Sequence, residues 1–474
     1  MGKTTLVLDA DGTLLRTDML LEGVWKGLAT DPAATLKAMA LIGDRAAFKA
    51  EIARIAPLRV DLLPINQDIA NLALEAREAG REVAIASASD ISLVQALADH
   101  YGIQRVFASQ DGVNLRGQAK ADALVAAYGE KGFDYAGNHK SDRKIWDHAD
   151  HTIVVGSAGG GAKGLTSVTQ VAGGWSPSAV LKAMRPHQWV KNVLLFLPMI
   201  AAHAFYLDTF LAVCLGIVSF SAAASCIYIV NDLLDIEADR LHEKKRHRPF
   251  AAGTVPIPVG MLACAALGVA ALGLGAYLSW EMFGVVVFYM VLSLAYSLRL
   301  KRLRWIDIAV LASLYTLRVV AGAAASQVDA SLFMLIFIFP VFLTLGCVKR
   351  MTELASAKDD NVLPGRGYAR SDMGDLLNMS AIGMVAALLI FFLYSFSDQA
   401  LALYPDQWLM WVALLPIAAW LYRMIRLGYL GQQHHDPIVF ALTDMRGVGY
   451  LLITLSLIFY AAGLWSVWWT QLFG

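Results

Sequence analysis

Residues 208–240 have the sequence DTFLAVCLGIVSFSAAASCIYIVNDLLDIEADR, an apolar run that ends in a cluster of acidic residues. The apolar part, 208–230, is long enough to cross a bilayer as a helix. If the helix continues, Asp232, Asp235 and Asp239 lie at i, i+3 and i+7, on one face at the membrane surface. Three carboxylates so close repel one another, and a divalent metal such as Mg²⁺ relieves that repulsion while it carries substrate phosphates. The stretch predicts a metal and phosphate site at the end of a membrane helix.

The composition of the whole chain is that of a membrane protein. Of its 474 residues, 57% are hydrophobic and only 16% are charged. The 39 basic residues balance the 39 acidic ones, so the overall charge does not indicate a nucleic-acid partner. Nine apolar segments are expected to span the membrane. They lie near 190–206, 208–230, 258–279, 282–299, 306–325, 331–348, 376–397, 408–425 and 448–470.

Basic residues cluster in alternate loops between these segments. They fall at 240–248, 299–304, 349–370 and 423–446, whereas the intervening loops contain no Lys or Arg. The positive-inside rule makes the basic side cytoplasmic. Nine spans in the inner (cytoplasmic) membrane then leave the N-terminal half in the cytoplasm and the C-terminus outside.

The N-terminal half has a different pattern. Apolar runs at 5–8, 83–86 and 152–155 alternate with helical stretches, which predicts a parallel, Rossmann-like α/β sheet. After residue 156 the composition shifts to Gly, Ala and Ser, as in a flexible joint. The expected division is an α/β domain at 1–156, a linker at 157–177 and a membrane domain at 178–474.

The first apolar run ends in Asp9-Ala-Asp11-Gly-Thr13. Residues two apart on a strand point to the same side, so both carboxylates aim at one pocket at the carboxyl end of the strand. There one Asp can attack a phosphorus atom while the other moves the proton.

This DxDGT string resembles the first motif of the haloacid dehalogenase (HAD) superfamily of phosphotransfer enzymes. The resemblance implies that Thr13 and Ser87 hold phosphate oxygens and that Lys120 offsets charge on the nucleophile. It also implies that Asp142 completes a Mg²⁺ site with Asp9 and Asp11, although Asn138 stands where an Asp is common. Residues 16 to about 80 would then form a small helical cap.

The string Asn231-Asp-Leu-Leu-Asp-Ile-Glu-Ala-Asp239-Arg240 resembles the NDxxDxxxDR motif of the UbiA superfamily of intramembrane prenyltransferases. The resemblance implies an all-α membrane domain of nine helices. It also implies that Asn231 and the three aspartates hold Mg²⁺ and a diphosphate leaving group, with Arg240 nearby.

A second string distinguishes branches of that superfamily. Aromatic prenyltransferases have a second DxxxD motif, but this chain has Lys349-Arg-Met-Thr-Glu353, and cations there suit a phosphate. With the stretch 185–192, RPHQWVKN, it resembles the phosphoribosyltransferase branch, which moves phosphoribose from phosphoribosyl pyrophosphate (PRPP) to a polyprenyl phosphate. Decaprenylphosphoryl-ribose synthesis for cell walls is an example. The substrate residues implied are Arg185, Lys191, Asn192, Lys349, Arg350 and Glu353.

Three further cations are candidates for binding phosphate. Lys244 and Arg246 follow the aspartate motif, although positive-inside topology alone also puts basic residues there. Arg318 falls well inside the fifth expected span, where a cation is costly and is by default a functional candidate. A lipid phosphate or a structural ion pair would each explain it.

The predicted function is a fusion of two enzymes that act in sequence. The membrane half transfers 5-phosphoribose from PRPP to a polyprenyl phosphate, and the HAD-like half removes the 5-phosphate from the product. An aromatic prenyltransferase with an unrelated phosphatase stays open, because Asp359-Asp360 resemble the remnant of a metal motif. A transporter is disfavoured, because transporter sites gather near the bilayer midplane. The sequence leaves the oligomeric state open, a homo-oligomer included.

Overall fold

A computed structural model of the protein describes residues 4–110, 112–157, 160–165, 167–329, 331–356, 366–433 and 436–465. Asp359 and Asp360 lie outside the described residues. The chain divides into two compact units. Unit 1 is Met1–Met184 with Tyr228–Ala265, and unit 2 is Arg185–Ile227 with Ala266–Gly474.

Unit 1 is built on a sheet of six strands, all paired in parallel, as expected for the N-terminal half. The strands are β1 (Thr5–Leu8), β2 (Val83–Asp90), β3 (Arg105–Ser109), β4 (Phe133–Gly137), β5 (Thr152–Val155) and β6 (Val168–Val171). Their order across the sheet is β3-β2-β1-β4-β5-β6. Strand β6 lies inside the segment for which a flexible joint is predicted, because its β-branched residues pair with β5.

In the described part of residues 1–184, eight α-helices accompany the sheet, four of them between β1 and β2, where the cap is expected. They are α1 (Met19–Thr30), α2 (Pro32–Ala38), α3 (Arg45–Ile55), α4 (Gln67–Glu78), α5 (Ile91–Tyr101), α6 (Gln118–Tyr128), α7 (Arg143–Trp146) and α8 (Pro177–Met184). Leu6 and Leu8 belong to one buried cluster and Val7 to another. This period of two places apolar clusters on both faces of the sheet, as a parallel sheet requires.

The remaining helices form the apolar part of the chain. They are α9 (Leu197–Ala201), α10 (Leu207–Leu234), α11 (Ile236–Leu241), α12 (Ile257–Leu278), α13 (Trp280–Leu298), α14 (Ile306–Ser326), α15 (Leu332–Ala355), α16 (Met373–Tyr394), α17 (Asp398–Leu403), α18 (Gln407–Tyr429), α19 (Pro437–Thr443) and α20 (Met445–Ala461). Within the described residues seven helices are long and apolar enough to cross a membrane, namely α10, α12, α13, α14, α15, α16 and α18. Helices α19 and α20, bent by 83°, make an eighth span if they count as one.

The expected count of nine spans is therefore not confirmed. The segment 190–206 is not one helix, because a 3₁₀ helix over Pro186–Phe196 is followed by the five residues of α9. Its side chains Lys191 and Asn192 are buried in polar contacts. Since seven and eight spans put the C-terminus on opposite sides, its expected location outside stays a prediction.

The aspartate motif also departs from the expected continuous helix. Helix α10 ends at Leu234, Asp235 adopts a non-helical conformation, and the six-residue α11 begins at Ile236. The helix on which Asp232, Asp235 and Asp239 were expected to form one stripe is therefore interrupted at Asp235, its middle member.

Candidate active sites

The first site lies at the carboxyl ends of β1, β2 and β4 in unit 1. Asp9 follows β1 directly, and its Oδ1 accepts a hydrogen bond of 2.7 Å from Lys120 Nζ on α6. The same ammonium group donates to the Ala86 carbonyl and to the Tyr135 hydroxyl, each at 3.0 Å. Both Asp9 and Lys120 are buried. The expected pairing of Lys120 with the first Asp is present in the structure.

Asp11 lies beside Ser87 and Ser89 on β2. Its Oδ2 accepts from the Ser89 hydroxyl at 2.6 Å and from the Ser87 hydroxyl at 3.3 Å. Its Oδ1 accepts from the backbone N–H of Met19 at 2.8 Å. Burial, followed by the charge of Asp18, raises the pKa of Asp11 to about 7. A carboxyl group with that pKa can hold a proton near neutral pH and donate it to a leaving oxygen.

Asp142 is the third carboxylate of this region and is almost fully buried. Its Oδ2 accepts from the backbone N–H groups of Asn138 at 3.1 Å and of His139 at 2.8 Å. Burial and then the charge of Asp9 raise the pKa of Asp142 to about 6. The Asn138 side chain fills the space at Gly12, where a Cβ would collide with it and φ is +72°. The left-handed turn at position 12 favours glycine, and the missing side chain of Gly12 leaves room for Asn138.

Thr13 is fully buried, and among the described residues its hydroxyl oxygen has no hydrogen-bond partner. Such an orphaned buried oxygen is costly unless a ligand satisfies it. This matches the expectation that Thr13 contacts a phosphate.

The aspartate motif lies in the part of unit 1 that follows the second apolar run. Arg248 Nη1 contacts Asp232 Oδ1 at 3.2 Å and Asp239 Oδ2 at 2.7 Å. Both carboxylates are buried. Burial, partly offset by the charge of Arg248, raises the pKa of Asp239. The two acids thus converge on a single cationic group.

The other residues expected at this motif lie in different surroundings. Arg240 forms a buried ion pair with Glu22 of α1. Lys244 and Arg246 are exposed. Asn231 is half-buried near the end of α10, where its carbonyl accepts from the Asp235 N–H.

A second polar cluster lies in unit 2. Lys191 Nζ and Lys349 Nζ contact the same oxygen of Asp436, at 2.9 Å and 3.0 Å, and the Tyr315 hydroxyl donates to that carboxylate. Burial raises the pKa of Asp436, but the charges of Lys349 and Lys191 outweigh it and hold this pKa well below its usual range. Burial lowers the pKa of Lys191 to about 8, although the charge of Asp436 opposes this.

Arg318 lies close to the same cluster. Its Nε donates to Asn192 Oδ1 at 3.1 Å, and its guanidinium carbon is 5.5 Å from the centre of the Tyr315 ring. It also donates to the Leu314 carbonyl, and Asn192 in turn donates to Ser221. The structure therefore brings together the four residues that the sequence predicts to bind phosphate, namely Lys191, Asn192, Arg318 and Lys349. Arg185 stands at the start of the 3₁₀ helix in a left-handed conformation with φ of +53°.

Arg350 and Glu353 belong to a separate network. The fully buried guanidinium of Arg350 pairs with Asp307 at 2.5 Å and with Glu353, and it donates to the Tyr296 hydroxyl. Arg366 also contacts Asp307, at 3.0 Å. The Arg350 donors are thus engaged by protein groups. The ion pair of Arg350 with Asp307 joins α15 to α14, and it is better described as a structural contact than as open to substrate.

The sequence of the apolar part matches one family. The model of the UbiA prenyltransferase family covers residues 190–446. An uncharacterized protein of Sinorhizobium fredii is 32% identical over 459 residues, which cover 93% of this chain and 88% of that protein. The chain belongs to the UbiA prenyltransferase family. Decaprenyl-phosphate phosphoribosyltransferase of Mycobacterium tuberculosis is 39% identical over 188 residues, 38% of this UbiA chain and 62% of that enzyme.

The N-terminal half of this UbiA protein resembles HAD phosphatases in its parallel sheet and motifs. A crystal structure of phosphoserine phosphatase in apo form matches 36% of this chain and 93% of that chain, with 14% identity and a TM-score of 0.27.

The acidic residues fit Mg²⁺ as pairs rather than as triads. Among the described residues no group of three or more acidic, His or Cys side chains is arranged to hold a metal. The charge of Asp9 acts on Asp142. Asp232 and Asp239 share Arg248, whose positive charge lies where a metal ion would neutralise the two carboxylates. Mg²⁺ is commonly held by one or two carboxylates with substrate phosphates and water, so both pairs fit it.

Three residues of the UbiA protein were missed from sequence. Asp436 lies in the last basic loop, where solvated polar residues are the ordinary expectation; the neighbouring His434 and His435 lie outside the described residues. Arg248 lies in the basic stretch 240–248, which positive-inside topology explains as readily as phosphate binding does, and Glu22 is in no motif. Glu22 and Asp436 act through partners 218 and 87 residues away, which local patterns do not reveal, whereas the partners of Arg248 lie 9 and 16 residues before it.

Proposed function

We propose that the protein is a bifunctional membrane enzyme that makes and then dephosphorylates a lipid-linked phosphoribose. The membrane domain would transfer 5-phosphoribose from PRPP to a polyprenyl phosphate. The HAD-like domain would then hydrolyse the 5-phosphate of the product. The 39% identity with decaprenyl-phosphate phosphoribosyltransferase over 188 residues supports the first activity.

One observation carries this proposal: the buried Lys191 and the partly buried Lys349 meet at Asp436, and Lys349 stands where an aromatic prenyltransferase would have a second acidic motif. Two ammonium groups around one carboxylate leave an excess of positive charge. A phosphate that replaces Asp436 as their partner would gain charge-assisted hydrogen bonds. Arg318 and Asn192, which contact each other beside the lysines, would extend this cradle.

The transfer step would be a substitution at the anomeric carbon of PRPP. An oxygen of the lipid phosphate forms a bond to C1 as the C1–O bond to the diphosphate breaks, and inorganic diphosphate leaves. Asp232 and Asp239, with Asp235 nearby, would hold Mg²⁺, which supplies charge neutralisation for the departing diphosphate. Arg248 would release the two carboxylates it now holds and turn to a phosphate oxygen.

The second step would be hydrolysis through an aspartyl-phosphate. A carboxylate oxygen of Asp9 attacks the phosphorus of the 5-phosphate, and Asp11 gives its proton to the ribose oxygen that leaves. Lys120 offsets charge on Asp9, while Thr13 and Ser87 donate to phosphate oxygens. Water then cleaves the aspartyl-phosphate, with Asp11 taking its proton. Asp9 and Asp142, beside Asp11, would hold the Mg²⁺ that HAD enzymes generally use.

These assignments put the protein in the cytoplasmic membrane with the HAD-like domain inside. PRPP is a soluble, highly charged metabolite, and the basic loops mark the cytoplasmic side by the positive-inside rule. Both reactions would then use substrates from the same compartment.

A competition between labelled substrates tests the transferase assignment. Purified protein in lipid nanodiscs receives Mg²⁺, a polyprenyl phosphate and labelled PRPP, and in a parallel reaction an aromatic acceptor with labelled prenyl diphosphate. The proposal expects labelled ribosyl lipid from PRPP and no labelled prenylated aromatic product from prenyl diphosphate. Consumption of prenyl diphosphate without consumption of PRPP would instead establish the aromatic prenyltransferase.

A further inference from the structure

The short helix α11 that carries Asp239 is held by side chains of the HAD-like domain. Within unit 1, Glu22 of α1 forms a two-pronged ion pair with Arg240, with oxygen–nitrogen distances of 2.6 Å and 2.8 Å. The two side chains are only 5% and 7% exposed. Arg240 Nε also donates to the Ala251 carbonyl at 3.0 Å. The guanidinium therefore has a fixed position.

A second pair joins the same two helices one turn further along α1. Lys26 Nζ contacts Glu237 Oε2 at 2.5 Å, and the two side chains are partly exposed. The loop that follows α11 is packed closely as well, because a side chain at Gly253 would meet Arg16 and Pro64. Three separate contacts thus attach the residues 237–253 to the N-terminal domain.

These contacts matter because α11 cannot hold its own position. It has six residues, and it is separated from α10 by the break at Asp235. Isolated helices of that length are unstable in water, so their geometry is set by external contacts. Arg240 follows Asp239 directly, and Asp239 must lie near Asp232 for both to contact Arg248. Fixing Arg240 therefore fixes the carboxylate that precedes it.

Helix α1 also contacts the phosphatase-like site. Its first residue, Met19, donates its backbone N–H to Asp11, and Glu22 lies one turn later on the same helix. Helix α1 is thus hydrogen-bonded at its first residue to Asp11 and, one turn later, is paired through Glu22 with Arg240 of the aspartate motif. A buried two-pronged pair has a stringent geometry, so small shifts of α1 would be transmitted to α11.

We infer that Glu22, a residue of the HAD-like domain, is a positioning residue for the aspartate motif of the transferase, where it sets the Mg²⁺ affinity through Arg240. The inference rests on the proposed function insofar as Mg²⁺ binds at Asp232 and Asp239. It gives the fusion of the two domains a physical role, because the transferase motif is assembled on a helix of its partner domain.

The test measures hydrogen exchange in the full-length protein as Mg²⁺ is raised, with no substrate present. Peptides that cover residues 232–248 report on the motif itself. The variants are Glu22→Gln, which removes the charge, and Glu22→Asp, which keeps it on a shorter arm. Glu51→Gln is the matched control, because Glu51 of α3 pairs with Arg54 at the surface.

Loss of a residue that orients a metal ligand typically lowers metal affinity by about 10–100-fold. We expect the Mg²⁺ concentration at which 232–248 become protected to rise by that factor in Glu22→Gln, and by less in Glu22→Asp. Glu51→Gln should match the parent. In transfer assays the same Mg²⁺ shift should appear with kcat at saturating Mg²⁺ nearly unchanged, a separation that general destabilisation would not produce.

An unshifted Mg²⁺ midpoint in Glu22→Gln would overturn the inference, and so would a parent in which Mg²⁺ does not protect 232–248. If Glu22→Gln loses protection in β2 and β3 as well, it is unfolded, and Glu22→Asp then decides by the same midpoint. If the parent consumes no PRPP, the proposed transfer fails. The substrate-free exchange measurement still decides the role of Glu22.

Discussion

In unit 1, two carboxylates, Asp232 and Asp239, share the guanidinium of Arg248, whereas in unit 2 two ammonium groups, Lys191 and Lys349, share the carboxylate of Asp436. The two clusters have the same construction with opposite charges. Each brings two groups of one charge sign to a single partner of the other sign in a largely buried place, and such an excess of charge is costly unless a ligand neutralises it. The acidic cluster suits a divalent cation, and the basic cluster suits a phosphate.

The comparison also separates clusters that await a ligand from those that do not. Arg350 and Arg366 are matched by Asp307 and Glu353, so that network is balanced within the protein. The membrane domain thus contains a closed ion-pair network and a cluster with surplus charge, on consecutive residues of α15. Substitutions in the closed network should therefore lower stability, whereas substitutions in the cluster with surplus charge should weaken substrate binding.

The largest effect is expected for Arg350→Ala, which should damage folding. Removing one partner of a buried ion pair leaves Asp307 as an uncompensated charge and typically costs about 3–5 kcal/mol. Thermal unfolding in detergent should show a lower midpoint. A variant of normal stability with a raised KM for substrate would show that Arg350 binds substrate, contrary to its closed network.

Asp239→Asn should reduce the rate of transfer by about 10²–10³-fold. Losing one group that stabilises the charge developing in a transition state typically lowers kcat by that factor. The cause is weaker Mg²⁺ binding at the acidic cluster. Initial rates of PRPP consumption measure it. Glu243→Gln is the control, since Glu243 is an exposed carboxylate just after α11, the helix that carries Asp239. Parent rates in Asp239→Asn would remove the acidic cluster from the mechanism.

Lys349→Ala should raise the KM for the phosphate substrates by about 10–100-fold, since a hydrogen bond to a charged group contributes about 1.5–3 kcal/mol. Melting temperature should change less than in Arg350→Ala, because Lys191 remains to pair with Asp436. KM and kcat determined for both substrates check this. A loss confined to protein yield would assign Lys349 a structural role.

The smallest effect is a pH dependence that originates at Lys191, whose pKa is about 8. Below pH 8 the amine is charged and attracts phosphate, and above pH 8 it loses its proton. Therefore kcat/KM should fall on the alkaline side, approaching tenfold per pH unit. Asp436, Lys349 and Arg318 are the charged groups that influence Lys191.

Lys191→Arg provides the control for that limb, because a guanidinium stays charged throughout this range. The alkaline fall in kcat/KM should disappear in this variant. The same fall in parent and variant would assign it to another group.

Much of the α/β domain could be predicted because its signals are local. The runs at 5–8, 83–86 and 152–155 form strands where expected, and Asp9 and Asp11 lie at the carboxyl end of the first strand as expected, although β1 ends at Leu8 and both follow it. Apolar length likewise identified the seven long helices. It failed at 190–206, because hydropathy measures composition and does not detect that a segment adopts 3₁₀ geometry.

The pairing of charges could not be predicted. Lys349 and Arg350 are neighbours, and on a helix neighbouring side chains point about 100° apart. The sequence therefore predicts that Lys349 and Arg350 face different groups, but it does not identify those groups. Lys349 pairs with Asp436, 87 residues later, and Arg350 with Asp307, 43 residues earlier. Such partners follow from the packing of helices, which no local pattern encodes.

The central claim is that one chain both forms and dephosphorylates the lipid-linked phosphoribose, and Asp9→Asn tests it most directly. The Asn side chain keeps an oxygen for Lys120 but cannot attack phosphorus, so hydrolysis should fall on the order of 10⁴-fold. Parent and variant are given Mg²⁺, PRPP and polyprenyl phosphate, and the lipids are analysed by mass spectrometry. The account predicts ribosyl lipid and free phosphate from the parent, and 5-phosphoribosyl lipid alone from Asp9→Asn at an unchanged rate of transfer. The same 5-phosphorylated lipid from both proteins would contradict it.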